Sequence, residues 1–338
     1  MMFKRSLSHL DKLPKAQVAE WLGGIDTIIC SSDGVLWQEN DPIEGSVEAF
    51  NAIKAKGKRG LIATNDCSLT TSDLVQKAKC LGFQIQDQDM LSSAGSITSY
   101  LTDRKFKKKV LVLGGDGICK ELQKEGFCSV VNNQRPDGRS RFNYAKTLVL
   151  DPDVGAVLVA RDDAMEVNQL LVACNYLQNP KILFLATCTD GFLTFGKRRI
   201  PDAGTVAASI QVIVNRMPTV LGKPNPRMLG KLLESGEIKP ERTLVIGNSL
   251  KADIGFANIC GFHSLLVGQD NGALEQAEKI QKEEDEKKMK LVPDTFLSSL
   301  APFLEYLCTE VKPDQKKDKK AQEINAGTAK PQKKTENK

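Results

Sequence analysis

Histidine is nearly absent from this chain: His9 and His263 are the only two in 338 residues. That scarcity argues against a His-based metal site or a Ser-His-Asp triad. Nine cysteines, at positions 30, 67, 80, 119, 128, 174, 188, 260 and 308, form no Cys-x-x-Cys pair. Neither a disulfide framework nor a zinc ribbon is indicated, and reduced, mostly buried thiols are expected. No apolar run approaches the roughly 18 residues needed to cross a bilayer. The N-terminal stretch MMFKRSLSHLDKLPKAQVAEWL starts basic but has no continuous apolar segment, and Asp11 and Glu20 argue against an amphipathic targeting peptide. The expected setting is cytoplasmic, without membrane contact.

Charge of one sign is also missing from most of the chain. Residues 312–338 hold nine Lys against four acids, which accounts for the whole net charge of +5. The rest is formally neutral, so no basic face and no nucleic-acid partner is indicated. The Lys-rich end has one large aliphatic residue and is expected to be a disordered, solubilising tail.

What is present is an alternation of short apolar runs and amphipathic stretches. Strands are predicted at TIIC (27–30), RGLIAT (59–64), VLVLGG (110–115), GAVLVA (155–160), ILFLAT (182–187), TVLG (219–222), TLVIGN (243–248) and HSLLVG (263–268). Helical patterns occupy 46–57, 69–83 and 164–179, and the polar segment 132–146, with Pro136 and Gly138, reads as a surface loop. Continuous β-branched strands alternating with helices argue for an α/β fold with parallel sheets covered on both faces. In such sheets ligands sit beyond the carboxyl ends of the strands. That rule selects CSSDG, TNDCS, GKPNP and GNSLKAD. The first two are separated from the last two by some 150 residues with their own strand–helix series. The expected architecture is a discontinuous core domain (15–103 and 209–311) with an inserted α/β cap domain (104–208).

SSDGVLW, ATNDCS, GKPNP and GNSLKADI, in this order, together with VLVLGGDGI, ACNYL, ATCTDG and IPDAGT, resemble the haloacid dehalogenase (HAD)-like superfamily. The likeness is to its capped phosphoglycolate and pyridoxal (4-nitrophenyl) phosphatases, and it covers roughly residues 15 to 311. It implies a Rossmannoid core with a C2-type cap. It also implies four loops that place an Asp nucleophile, an Asp acid/base two residues later, a phosphate-binding hydroxyl and amides, a Lys, and an Asp that coordinates Mg²⁺.

Carried over residue by residue, Asp33 takes the acid/base position, with its backbone carbonyl toward the metal, and Gly34 makes the turn. Thr64 and Asn65 take the phosphate-binding positions and Lys223 that of the neutralising cation. Taken alone, ATNDCS reads as a Thr-ended strand followed by an Asx-type turn. The departures are Ser31 at the nucleophile position and Asn248 at the Mg²⁺-ligand position, with Asp253 retained nearby. Asp26 lies five residues before Ser31, too far along a strand rising about 3.3 Å per residue to substitute. A serine without an adjacent base is a weak nucleophile, and Mg²⁺ prefers anionic oxygens. In the cap, Asp190 and Asp202 match polar contributors, and Met165 stands where an aromatic is common; Met165 reads best as gap-filling core.

These residues imply a catalytically impaired pseudoenzyme that retains a phosphate-binding pocket, with Mg²⁺ weakly bound or not required. The alternative is an active Mg²⁺-dependent phosphatase acting on small phosphate monoesters such as phosphoglycolate or pyridoxal phosphate. The partners implied are a phosphorylated small molecule and a homo- or heterodimer formed through the cap.

Overall fold

The computed structural model describes residues 3–131, 140–162, 165–195, 198–230, 232–268, 272–283 and 285–309. The Lys-rich tail expected at 312–338 and the first half of the loop expected at 132–146 lie outside the described residues.

The chain enters through β1 (Ser8–His9) and β2 (Thr27–Ser31), makes a short antiparallel hairpin of β3 (Trp37–Gln38) and β4 (Asp41–Pro42), and continues through β5 (Arg59–Thr64) and β6 (Met90–Ser92). A second series follows: β7 (Lys109–Leu113), β8 (Ser129–Val130), β9 (Val154–Val159), β10 (Leu183–Ala186), the hairpin strands β11 (Phe192–Phe195) and β12 (Arg198–Pro201), and β13 (Thr219–Val220). The chain then returns with β14 (Thr243–Gly247), β15 (His263–Val267) and β16 (Thr295–Leu297). The seven-stranded sheet has the order β1-β16-β15-β14-β2-β5-β6 and the five-stranded sheet β13-β10-β9-β7-β8. Every pairing in both is parallel. Strands β2, β9, β14 and β15 are buried along their whole length, as expected for strands covered on both faces.

Helix starts follow local chemistry. Thr70 caps Thr71–Cys80 by accepting from Asp73 N at 3.2 Å, and Ser92 caps Ser93–Asp103 by accepting from Gly95 N at 2.9 Å. Each satisfies an amide that the first helical turn leaves unpaired.

The structure redraws three expectations. Residues Arg141–Thr147, read as loop, form a helix capped by Ser140; Pro136 and Gly138 precede it, and Tyr144 is buried against the insert's apolar cluster. The seven-stranded body starts before residue 15, because β1 pairs with β16 and Phe3 and Leu10 enter its core. The boundary expected at 208/209 falls inside the helix Ala203–Val214, and β13 pairs with β10, so the insert's sheet extends to Val220.

The two sheets share an apolar cluster. Ala94, Ile97, Tyr100 and Leu101, from the helix that follows β6, pack with Val110, Val112, Ile118, Leu122, Ala156, Leu158 and Leu221. Glu121 adds a buried polar tie between the bodies. Its carboxylate accepts from Thr71 N at 3.1 Å and from Thr71 Oγ1 at 2.6 Å, and Thr71 Oγ1 lies 2.6 Å from Ser92 Oγ. The segment just before Thr71, which enters the site, is therefore positioned partly by the insert.

Candidate active site

The carboxyl ends of β2, β5 and β14 open into one cavity of about 530 Å³, closed from the other side by the insert. Ser31, Asp33, Gly34, Asn65, Lys223, Asn248 and Asp253 all line it. Four loops separated by up to about two hundred residues meet there because parallel strands put their carboxyl ends on one edge.

Lys223 sits at the centre, 4% exposed. Its ammonium donates to Ser31 Oγ at 2.7 Å, to Asp253 Oδ1 at 2.7 Å and to Ala63 O at 3.1 Å. All three of its protons are used, which is how a buried ammonium avoids an uncompensated desolvation cost. Asp253 Oδ2 accepts from the backbone N–H groups of Asn248 and Ser249, both at 3.0 Å. Asp253 comes this close because Gly247 has no side chain: a Cβ there would stand 2.1 Å from the Asp253 Cβ. The acid belongs to a single π-helical turn, Leu250–Ile254, an irregularity frequent at functional sites.

Asn65 braces the lysine's backbone, accepting from Lys223 N at 2.8 Å and donating to Lys223 O at 3.2 Å. Its amide also lies 3.4 Å from Asp190 Oδ2 of the insert. Gly34 has φ +73°, and a Cβ there would meet the Asn248 side-chain nitrogen at 2.1 Å. The first and fourth loops thus touch through a glycine that no other residue could replace without strain.

Asp33 accepts from Ser32 Oγ at 2.8 Å. Burial pushes its carboxyl above the ordinary carboxylate range and the nearby Asp66 adds to this, while Ser32, Lys77 and Lys223 oppose it. Burial likewise raises Asp190, with help from Asp253, and raises Asp202.

One sequence expectation meets a different arrangement. Thr64 is fully buried behind the cavity and is not among its lining residues. Its hydroxyl accepts from Asp66 N at 3.0 Å, and Asp66 in turn accepts from Ser68 N at 2.9 Å. That is the plain turn chemistry the segment suggests when read alone. Met165 packs against the insert's apolar cluster, outside the cavity lining, in keeping with its reading as gap-filling core. Asp190 and Asp202 do line it. Sequence reasoning missed Ser32, Asp66, Lys77 and Arg161, and it missed the hairpin residues Phe192, Leu193 and Ile200. Asp66 and Ser32 stand beside recognised motif residues and could have been found by proximity. The others have no sequence signal.

The donor set does not suit Mg²⁺. The hydroxyl of Ser31 already accepts from an ammonium, Asn248 offers a neutral amide, and both oxygens of Asp253 are engaged. Among the described residues no group of three or more His, Cys, Asp or Glu could hold a metal ion. Replacing anionic oxygens by neutral ones at contact distance weakens cation binding by roughly several kcal/mol.

A two-sheet parallel α/β fold, with an insert closing over a Lys–Asp pair at the strand ends, is a capped α/β core whose site lies where such folds bind ligands. Residues 28–128 match the family model described as haloacid dehalogenase-like hydrolase, and residues 220–300 match a HAD-hydrolase-like model. The chain is 30% identical over 295 residues to the human glycerol-3-phosphate phosphatase, covering 84% of this chain and 91% of that protein. It superimposes on the 4-nitrophenylphosphatase of Thermotoga maritima with a TM-score of 0.67 at 24% identity, covering 86% and 99% of the two chains. A glycerol phosphate phosphatase of Mycobacterium tuberculosis in complex with magnesium matches with a TM-score of 0.64 at 22% identity, covering 87% of this chain and 82% of that one. The chain belongs to the haloacid dehalogenase-like hydrolase family, among its capped phosphatases.

Proposed function

We propose that this chain is a phosphatase-family pseudoenzyme that keeps a pocket for a phosphate ester and has lost efficient phosphoryl transfer. The observation that carries the reading is the environment of Ser31. Among the described residues, the one hydrogen bond at its hydroxyl is accepted from Lys223, and an ammonium has no lone pair with which to take the serine proton. A hydroxyl that no base activates is a poor nucleophile, and a seryl phosphate is a far more inert intermediate than an acyl phosphate.

Ligand binding can outlast catalysis for a reason of charge. Two lost carboxylates and one lost Mg²⁺ carry equal and opposite charge, so a site without all three has the same balance toward a phosphate. The Ser31 hydroxyl keeps its proton to donate, and Lys223 stands 2.7 Å behind it. Asp33 remains at the acid/base position, with no acyl phosphate to act on.

The test is a restoration. Ser31→Asp together with Asn248→Asp returns a carboxylate nucleophile and an anionic metal ligand. The double variant is expected to hydrolyse 4-nitrophenyl phosphate with Mg²⁺ at least about a hundredfold faster than the parent, since nucleophile and metal each contribute large factors. Either single change should give far less. A parent protein already turning over with Mg²⁺, and silenced by Lys223→Ala, would sink the proposal. It would favour the second reading, an active Mg²⁺-dependent phosphatase on small phosphate monoesters, for which the similarity to the human glycerol-3-phosphate phosphatase speaks.

Pairing through the insert is a companion proposal. It is supported by Val212, Ile213 and Met217, which are large, apolar and exposed on its surface. A cytoplasmic setting accords with nine cysteines that are all free thiols. No helix among the described residues is long and apolar enough to cross a membrane.

A further inference from the structure

The floor of the cavity offers a ligand hydrogen bonds without a net charge. Lys223 and Asp253 form a buried ion pair at 2.7 Å, and the three ammonium protons are spent on Ser31 Oγ, Ala63 O and Asp253 Oδ1. Ser31 is 6% exposed and lines the cavity. Its oxygen accepts from Lys223, while its own proton has no acceptor among the described residues. A buried donor in that state calls for an acceptor from outside the chain. The ammonium behind it polarises the hydroxyl and strengthens what it donates. Asn65 and Asn248, also in the floor, are neutral amides.

Charge around the floor runs the other way. Besides Asp253, the acids Asp33, Glu39, Asp66, Asp190 and Asp202 line the cavity; besides Lys223, the cations are Lys77, Arg161 and Lys251. Acids are in excess, and they act on one another. Burial first and then Asp66 push Asp33 up, and burial first and then Asp253 push Asp190 up. The cations are partly committed: Arg161 lies in the field of Asp202 and Lys77 in that of Asp33, with its ammonium 5.6 Å from the centre of the Trp37 ring. Lys251 is exposed. Exchanging two carboxylates and a Mg²⁺ for Ser31 and Asn248 keeps the total charge but removes the double charge that would stand against the ligand's oxygens. One negative charge on the ligand is met by the Ser31 proton and the Lys223 field. A second falls among carboxylates that outnumber the cations.

We propose that the ligand's head group is a tetrahedral oxyanion with a single negative charge, a sulfate monoester, held without metal by the Ser31 hydroxyl with Lys223 behind it. This rests on the anion pocket of the reading above and narrows its ligand. The experiment is isothermal titration of the full chain, without metal, with phenyl sulfate, phenyl phosphate and methyl phenyl phosphate. The three share one aryl group and differ in charge or esterification. A phosphate monoester has a second pKa near about 6, so phenyl phosphate is doubly charged at about pH 8 and singly charged at about pH 5. Phenyl sulfate is expected to bind at least about tenfold tighter than phenyl phosphate at the higher pH, because a further charge beside partly buried carboxylates costs that much or more. The gap is expected to close at the lower pH. Ser31→Ala removes no charge, yet is expected to weaken phenyl sulfate about tenfold, the loss of a charge-assisted hydrogen bond. Asp66→Asn keeps the oxygen that accepts from Ser68 N and is expected to narrow the gap by easing repulsion on the phosphate ester. Phenyl phosphate as tight as phenyl sulfate or tighter at the higher pH, or methyl phenyl phosphate the tightest of the three, overturns this inference and leaves the anion pocket standing. Phenyl sulfate bound equally by the parent and by Ser31→Ala removes the assignment of Ser31, and the inference with it. Failure of all three compounds to bind removes both readings.

Discussion

Asp33 is the surviving acid of the first loop, and its raised pKa sets the sign of a pH effect. Its carboxyl is shifted up by burial and by Asp66. As pH falls through its folded-state value, the native protein takes up a proton that the unfolded chain, with an ordinary pKa near about 4, does not yet bind. Stability from this group therefore rises on acidification, and at neutral pH the ionised form is a burden. The Asp33→Asn variant keeps an oxygen for Ser32 Oγ and removes the titration. It is expected to be more stable than the parent at pH 7, with the gap closing toward about pH 4. Urea titrations across that range check it, and a gap independent of pH would refute it. Asp190 and Asp202 shift the same way and add to the parent's trend.

At the scale of elements, the tie between the helix Asp116–Lys124 and the helix Thr71–Cys80 is the informative one. Glu121 supplies both acceptors that Thr71 uses, and Gly117 passes so close to Ser68 that a Cβ would stand 2.3 Å from its carbonyl. Removing the carboxylate leaves a helix-start amide and a hydroxyl without those partners in a half-buried place. Glu121→Ala should cost about 1–3 kcal/mol, measured as a fall in unfolding free energy. Glu121→Gln keeps one acceptor oxygen and should lose less. Equal losses from both changes would mean that packing, and not hydrogen bonding, makes the tie.

For the whole molecule, the apolar cluster shared by the two sheets makes the insert part of one cooperative body. Small, polar interfaces between domains permit independent motion, whereas large hydrophobic ones do not. Both tryptophans, Trp21 and Trp37, are buried in the seven-stranded body, so their fluorescence reports on that body, while far-ultraviolet dichroism reports on both. The two signals are expected to give one coincident denaturant transition. A separated pair of midpoints would show the insert unfolding by itself.

Much of this protein was legible from local pattern. Runs such as RGLIAT and TLVIGN announce buried parallel strands because both faces must be apolar, and β5 and β14 form where those runs predict. The neutral residues Ser31 and Asn248 were equally plain, since chemistry at a motif position depends on which residue stands there. The hairpin of Phe192 and Ile200, the placement of β13 in the insert's sheet, and the tie at Glu121 were not. Each depends on which segments come together across long stretches of chain, and composition carries no record of that. Thr64 is the sharpest case. Its local sequence permits either a phosphate contact or a turn, and only the packed structure shows its hydroxyl engaged with Asp66, away from the cavity lining. The sequence by itself determined the sheet type, the family and the missing carboxylates, because these follow from residue identity and short-range period. Only the tertiary structure decided that Lys223 spends its three protons on Ser31, Asp253 and Ala63, because a buried charge must find partners wherever the fold supplies them.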